Sequence, residues 1–226
     1  VTDKNVFDKK SRINTFLHVN SDTTTPRNGI LICINGTGIL YSWLKKLMNA
    51  GGGNIDYEQM NEMVESIKPG TEGLQCLPFG NGAERIFENR QVGSHFLNLD
   101  FNRHTNVHIV RAAVEGIVFA LNLGFEMLGD LNVPQNTIRA GNANLFLSKS
   151  FREIFVNVIG VPLEVYDTDG AAGAARGAAI GFGFYTSKEV AFENLRLIDS
   201  LEPNSEQKTH YKELFERWKV AIENTH

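Results

Sequence analysis

The sequence predicts an α/β domain. Three observations point there. From about residue 105 the periodicity alternates helix, strand, helix, strand, helix, the order that joins parallel strands through helical crossovers. Two of the strands run straight into short loops of small residues, at 141–144 and 168–173. With 226 residues, 42% hydrophobic and 21% charged, the chain has the length and composition to bury one real core. No internal repeat, linker or low-complexity tail divides it, so a single domain is expected.

The elements read as follows. Residues 14–20 form a short strand, and the polar cluster around Pro26 and Gly29 a turn. The apolar run 30–34 is a buried strand or a helix start. Leu40, Trp43, Leu44, Leu47 and Met48 fall on one helical face, ended by the glycines at 51–53. Asp56 is an N-cap with Gln59 at the capping-box position, and Met60, Met63, Val64 and Ile67 stripe the helix that follows. Residues 74–79 read as a strand. The mixture of Gly, charge and aromatics over 80–104 suits an irregular surface segment. Val110, Val114, Ile117, Val118, Leu121, Phe125 and Leu128 make a long helical stripe to Gly129. Residues 137–140 form a strand. A helix runs over 148–159 with Gly160 just past its end. Residues 161–167 form a strand rich in β-branched residues, and a last helix spans about 206–223.

Several function classes are excluded. A net charge of −4 disfavours nucleic-acid binding. No apolar run reaches the ~20 residues of a membrane span. Cys33 and Cys76 lie in apolar runs and read as buried thiols, which places the chain in the cytoplasm. Asn35-Gly36-Thr37 fits a glycosylation pattern by chance. His104 and His108 are four apart, but no third ligand sits at metal-site spacing, so surface or helix-start histidines are expected. Glu84-Arg85 reads as a solvated ion pair. There is no G-x-S-x-G, C-x-x-C, P-loop or G-x-G-x-x-G pattern.

The two small-residue loops are the candidate site. In an open α/β sheet, ligands sit beyond the carboxyl ends of the strands. Gly141-Asn142-Ala143-Asn144 offers backbone amides and two amide side chains, which suit phosphates, a ribose or a base. Tight turns are the alternative reading. The second loop opens the stretch "DTDGAAGAARGAAIGFGFY". Its glycines at 173, 177 and 181 recur every four residues and share one helical face. A backbone or a flat ligand packed on that face would explain them. Thr168 or Asp169 would cap the helix.

Four segments resemble the FGGY carbohydrate kinases and, within them, the xylulose kinases. "GTEGLQCLPFGNGAERI" is similar to the strand that ends in the family's Gly-Glu-Arg turn. "SHFLNLDFNRHTNVHIVRAAVEG" resembles its second signature, with the fit running from His108 through Ala112, Ala113, Val114 and Glu115 to Gly116. "IRAGNANLFLSKSFREIFVNVIGVPLEV" is similar to its triple-glycine loop with the following helix and strand. "DTDGAAGAARGAAIG" resembles its Glu-x-Ala-Ala-x-Gly-Ala-Ala helix. In order and spacing the likeness covers nearly all of 15–185. The chain departs from the pattern at Asn98, where the signature has Gly, at Ala140-Gly141-Asn142-Ala143, in a few extra residues around 146–150, and at Asp169, where Glu is commoner.

The resemblance implies an actin-like ATPase (ribonuclease H-like) fold, a mixed sheet flanked by helices. It implies ATP and Mg²⁺ as cofactors, with the sugar D-xylulose or a related polyol as acceptor. Residues 1–226 would be the C-terminal nucleotide-binding domain. The polar opening without an initiator Met reads as the middle of something longer, so a fragment is expected. The sugar-binding domain and the general-base Asp would lie upstream of Val1. Gly141, Asn142, Ala143 and Asn144 would close on the ribose and phosphates, supported by Asp169, Gly170 and Gly173. Gly36-Thr37-Gly38 imitates a phosphate turn but falls where the family starts a helix. Beyond ATP and sugar, a second copy in a homodimer is the other partner considered.

Overall fold

The computed structural model describes residues 1–225. A hairpin comes first, β1 (Asn14–Leu17) paired antiparallel with β2 (Asn28–Leu31). Two helices follow, α1 (Thr37–Asn49) and α2 (Tyr57–Ser66). A longer hairpin joins β3 (Gln75–Glu84) to β4 (Arg90–Leu97). The long helix α3 (Asn106–Asp130) leads to β5 (Ile138–Gly141), α4 (Lys149–Ile159) and β6 (Leu163–Tyr166). The chain ends with α5 (Gly170–Phe182), α6 (Lys188–Phe192), β7 (Leu197–Leu201) and α7 (Ser205–Thr225). β5, β6 and β7 form one mixed sheet, in which β5–β6 is parallel and β6–β7 antiparallel.

α3 is the axis of the core. Its start is fixed by a capping box: the Thr105 side chain accepts from the His108 amide, and the His108 ring accepts from the Thr105 amide. The apolar stripe then places Val110, Val114, Ile117 and Val118 inside. At Gly116 the helix meets β3, where an added Cβ would lie 2.2 Å from the Cys76 carbonyl oxygen. That carbonyl is satisfied from α7, whose Trp218 indole donates to it at 2.7 Å in the middle of the core. α3 has the length and composition of a membrane span, but its apolar surface is mostly buried inside the domain.

A buried polar network ties the helices around α3. The Arg111 guanidinium donates to Glu115 at 2.9 Å, to the Val64 carbonyl at 2.6 Å and to the Tyr211 hydroxyl at 2.9 Å. Glu115 also accepts from the Gly70 amide and the Thr71 hydroxyl. Burial pushes the Glu115 carboxyl up, and Arg111 opposes that shift. The network locks α2, α3 and α7 into one register, which fixes where the start of α2 lies.

Five expectations are corrected. Residues 80–104 are not irregular throughout, because β3 runs to Glu84 and β4 returns from Arg90. A register shift between Phe79 and Ala83 breaks the alternation that would have revealed the pair. Parallel pairing is confined to β5–β6: β1–β2 and β3–β4 are hairpins, and β7 returns antiparallel to β6 after α5 and α6. Cys33 is exposed two residues past β2, and Cys76 alone is buried. His104 and His108 are helix-start histidines, as expected, with His108 in the capping box of α3, but they are buried rather than on the surface, their rings 5.4 Å apart. The buried face of α1 is Leu40, Tyr41 and Leu44, which leaves Trp43 and Leu47 half exposed. The short α6 and β7 lie in a stretch whose sequence showed no clear period.

Candidate functional site

The two loops singled out by their small residues meet in the structure. β5 ends at Gly141, and the Asn142 amide donates to the Tyr166 carbonyl at 2.8 Å as β6 ends. A Cβ at Gly141 would lie 2.4 Å from the Thr168 carbonyl oxygen, so the two loops touch backbone to backbone. The Ala143 amide closes a tight turn onto the Gly141 carbonyl. Asn144 then takes a left-handed conformation, φ 52°, and opens a single 3₁₀ turn, Asn144–Leu147. The extra residues around 146–150 are this turn and the start of α4. Ser148 caps α4 by accepting from the Phe151 amide at 3.2 Å.

Arg152 holds the turn from below. Its guanidinium donates to the Phe146 carbonyl at 2.6 Å, to Asp199 at 2.8 Å and to the Asn142 side-chain oxygen at 3.3 Å. The Asn142 side chain is thereby committed to shaping the loop. Asn144 is free of that duty and exposed.

The 3₁₀ turn forms one wall of a cavity of about 300 Å³. Asn144, Leu145, Leu147 and Ser148 line it on that side. Opposite stand Gly38 and Tyr41 from α1 and Tyr57 and Asn61 from α2. The rings of Tyr41 and Tyr57 are stacked, centroids 5.7 Å apart and 18° from parallel. The Tyr41 hydroxyl donates to the Asn61 side-chain oxygen at 3.0 Å. Burial pushes that hydroxyl above the usual tyrosine range, so it stays a neutral donor. Lys45 lies over the outer face of Tyr57, 4.3 Å from the ring centre. Tyr57 is held at the first position of α2 by the reciprocal Asp56–Gln59 capping box, with bonds of 2.9 and 3.0 Å.

The cavity is apolar along its walls, aromatic on one side, and edged by amide and hydroxyl groups. Such a slot takes a flat heterocycle and fixes its orientation with a few hydrogen bonds. Gly38 leaves the first turn of α1 uncovered at the rim, where free amides favour an anionic tail. Among the described residues, no group of three or more His, Cys, Asp and Glu side chains could hold a metal ion. The residues gathered here are built for binding and orientation.

The remaining sequence candidates sit elsewhere. Asp169 caps α5, accepting from the Ala172 amide at 2.7 Å. Gly170 and Gly173 face open space and do not line the cavity. The glycine stripe is also corrected: nothing lies within 4 Å of an added Cβ at Gly173, Gly177 or Gly181, and no α5 residue is buried. Glu84 is buried and meets the Asn35 amide, so it is not a solvated partner of Arg85. Gly36-Thr37-Gly38 is a helix start, with Gly36 at the N-cap. Gly38 was marked only as part of a phosphate-turn look-alike, and Tyr41, Tyr57, Asn61 and Arg152 were not anticipated. The capping box at 56–59 was a legible signal for Tyr57; the others become neighbours only on folding.

No family model matches the chain. A xylulose kinase of Bacillus subtilis is 27% identical over 222 residues, covering 96% of this chain and 42% of that protein. The chain is a homologue of xylulose kinases and has the fold of FGGY-type sugar kinases. It spans less than half the length of the relatives it matches. A gluconokinase of Bacillus subtilis is also 27% identical, over 148 residues that make up 62% of this chain and 28% of that protein. Among solved structures, xylulose kinase from Rhodospirillum rubrum superposes with TM-score 0.74 at 23% identity, covering 95% of this chain and 42% of the other. Plasmodium falciparum glycerol kinase, solved with ADP, gives TM-score 0.78 at 21% identity, covering 99% of this chain and 44% of the other. The actin-like α/β architecture expected from the sequence is therefore the one observed.

Proposed function

We propose that this chain is the C-terminal, nucleotide-binding domain of a cytoplasmic sugar kinase, and that the cavity between α1, α2 and the 3₁₀ turn takes the adenine of ATP. The cavity itself carries the reading: an aromatic-walled slot of about 300 Å³ whose rim includes Asn144, a residue marked by the sequence as a nucleotide contact. A relative of the same fold was solved with ADP, which supports it. The ring would lie along Tyr41 and Leu145, with Asn61, Asn144 and Ser148 reading its edge. The ribose and phosphates would extend past Gly38 toward the loop at Gly141. The small residues there let the backbone approach, and Asp169 lies against Gly141 at the start of α5, whose Gly170 and Gly173 face open space.

Magnesium would arrive with the nucleotide. It keeps most of its waters and binds phosphates readily, and this chain offers it no carboxylate cage among the described residues. Its contribution when bound is to neutralise charge on the phosphates. The acceptor is D-xylulose in our reading, with the hydroxyl proton taken by an Asp of the other domain. The gluconokinase likeness keeps gluconate, and related polyols, as the second reading.

The pure 226-residue chain should bind magnesium–ATP but show no sugar-dependent ATP turnover, because the acceptor site and base lie outside it. A coupled ADP-release assay with xylulose, gluconate and glycerol checks this. Sugar-dependent turnover by the chain alone would overturn the domain assignment.

A further inference from the structure

We propose that Glu84 is a positioning residue for the nucleotide cavity: it holds the turn that launches α1, and so places Gly38 and Tyr41. The assignment rests on the nucleotide reading above. Glu84 is fully buried at 0% exposure, and among the described residues no cation pairs with it. Its sequence neighbour Arg85 turns away and donates to the Ser11 carbonyl at 3.0 Å. An unpaired buried carboxylate is expensive, and a hydrophobic side chain would serve packing better. What Glu84 does with that carboxylate is specific. Both oxygens accept from the Asn35 amide, at 3.2 and 3.1 Å.

Asn35 is clamped to the same β3 turn twice more. Its side-chain amide donates to the Ala83 carbonyl at 2.8 Å, and Asn81 donates back to the Asn35 carbonyl at 3.0 Å. The next residue, Gly36, is pressed on β3 so closely that a Cβ would lie 1.5 Å from the Pro78 carbonyl oxygen. Gly36 is the N-cap of α1 and has no side chain to cap the helix. The hinge between strand and helix is thus fixed from outside, by the hairpin. Gly38 and Tyr41, one turn further on, reach the cavity from that fixed origin. Burial pushes the Glu84 carboxyl up, while the Asn35 and Gly36 amides pull it down.

The test compares unaltered chain, Glu84→Gln and Glu84→Ala. Calorimetry gives the affinity for magnesium–ADP, and amide hydrogen exchange reports on Asn35 and Gly36. Far-ultraviolet circular dichroism confirms that each variant is folded. The expected result is loss of Asn35 and Gly36 protection in E84A with affinity lowered about tenfold, the scale of a lost charge-assisted hydrogen bond. E84Q keeps the volume and one acceptor oxygen, so it should fall between; it also carries the test if E84A does not fold. Unchanged protection and unchanged affinity in the variants, with the unaltered chain binding normally, would overturn the role of Glu84 alone. An unaltered chain that binds no magnesium–ADP would overturn the nucleotide reading and this assignment with it, whatever the exchange data show.

Discussion

A methyl group added at Gly141 would press on the Thr168 carbonyl, 2.4 Å away, at the point where the two candidate loops touch. The backbone there cannot move without dragging Asn142, whose side chain is held by Arg152. Gly141→Ala should therefore cost about 1–3 kcal/mol in stability, as overpacking does, and should weaken nucleotide binding as the 3₁₀ turn shifts. Chemical denaturation and calorimetry read the two effects. At this scale the sequence disclosed the loop but not the division of labour within it. Asn142 and Asn144 look alike in "AGNAN", yet one is spent on Arg152 and the other reaches the cavity. Nothing local distinguishes them, because Arg152 and Asp199 become neighbours of the loop only through α4 and β7.

At the scale of single elements, α5 is the instructive case. Its spacing of glycines was legible, and so was a cap at Thr168 or Asp169, of which the structure uses Asp169; its stop at Gly183 was not read. What the stripe faces was not, since the structure leaves it open within this chain. Gly177→Ala should then stabilise the isolated chain by about 0.5–1 kcal/mol, through helix propensity and the entropy of the unfolded chain. A rise in thermal midpoint checks it; a fall would mean that the face is packed in solution. Arg111 shows the opposite extreme. Arg111→Ala would strand Glu115 in the core and uncouple α2 from α3 and α7, at a cost of about 3–5 kcal/mol. Denaturant unfolding measures this. Long stripes such as α3 and boxed starts such as α2 were readable because their signals are local. The β3–β4 pair was hidden by its bulge, and α6 and β7 by their brevity.

Over the whole molecule, the order of four segments carried the fold, and the structure agrees with it. The cavity was not visible in the same way. Its walls come from α1, α2 and the turn before α4, which are far apart along the chain and are brought together by packing around α3. Asn144 was legible on one wall and Gly38 only in a phosphate-turn look-alike, whereas Tyr41, Tyr57 and Asn61 were not. Burial of Tyr41 rather than Trp43 on α1 decides which ring faces the slot, and only tertiary contact makes that choice.

Where a nucleotide binds decides the function of this chain. Titrating the isotope-labelled chain with a magnesium–ATP analogue, and following the backbone amides, locates it directly. Shifts should concentrate at Gly38, Tyr41, Tyr57, Asn61 and 144–148, with smaller ones at Gly141. Saturation without movement of those amides, or shifts confined to another face, would contradict the assignment.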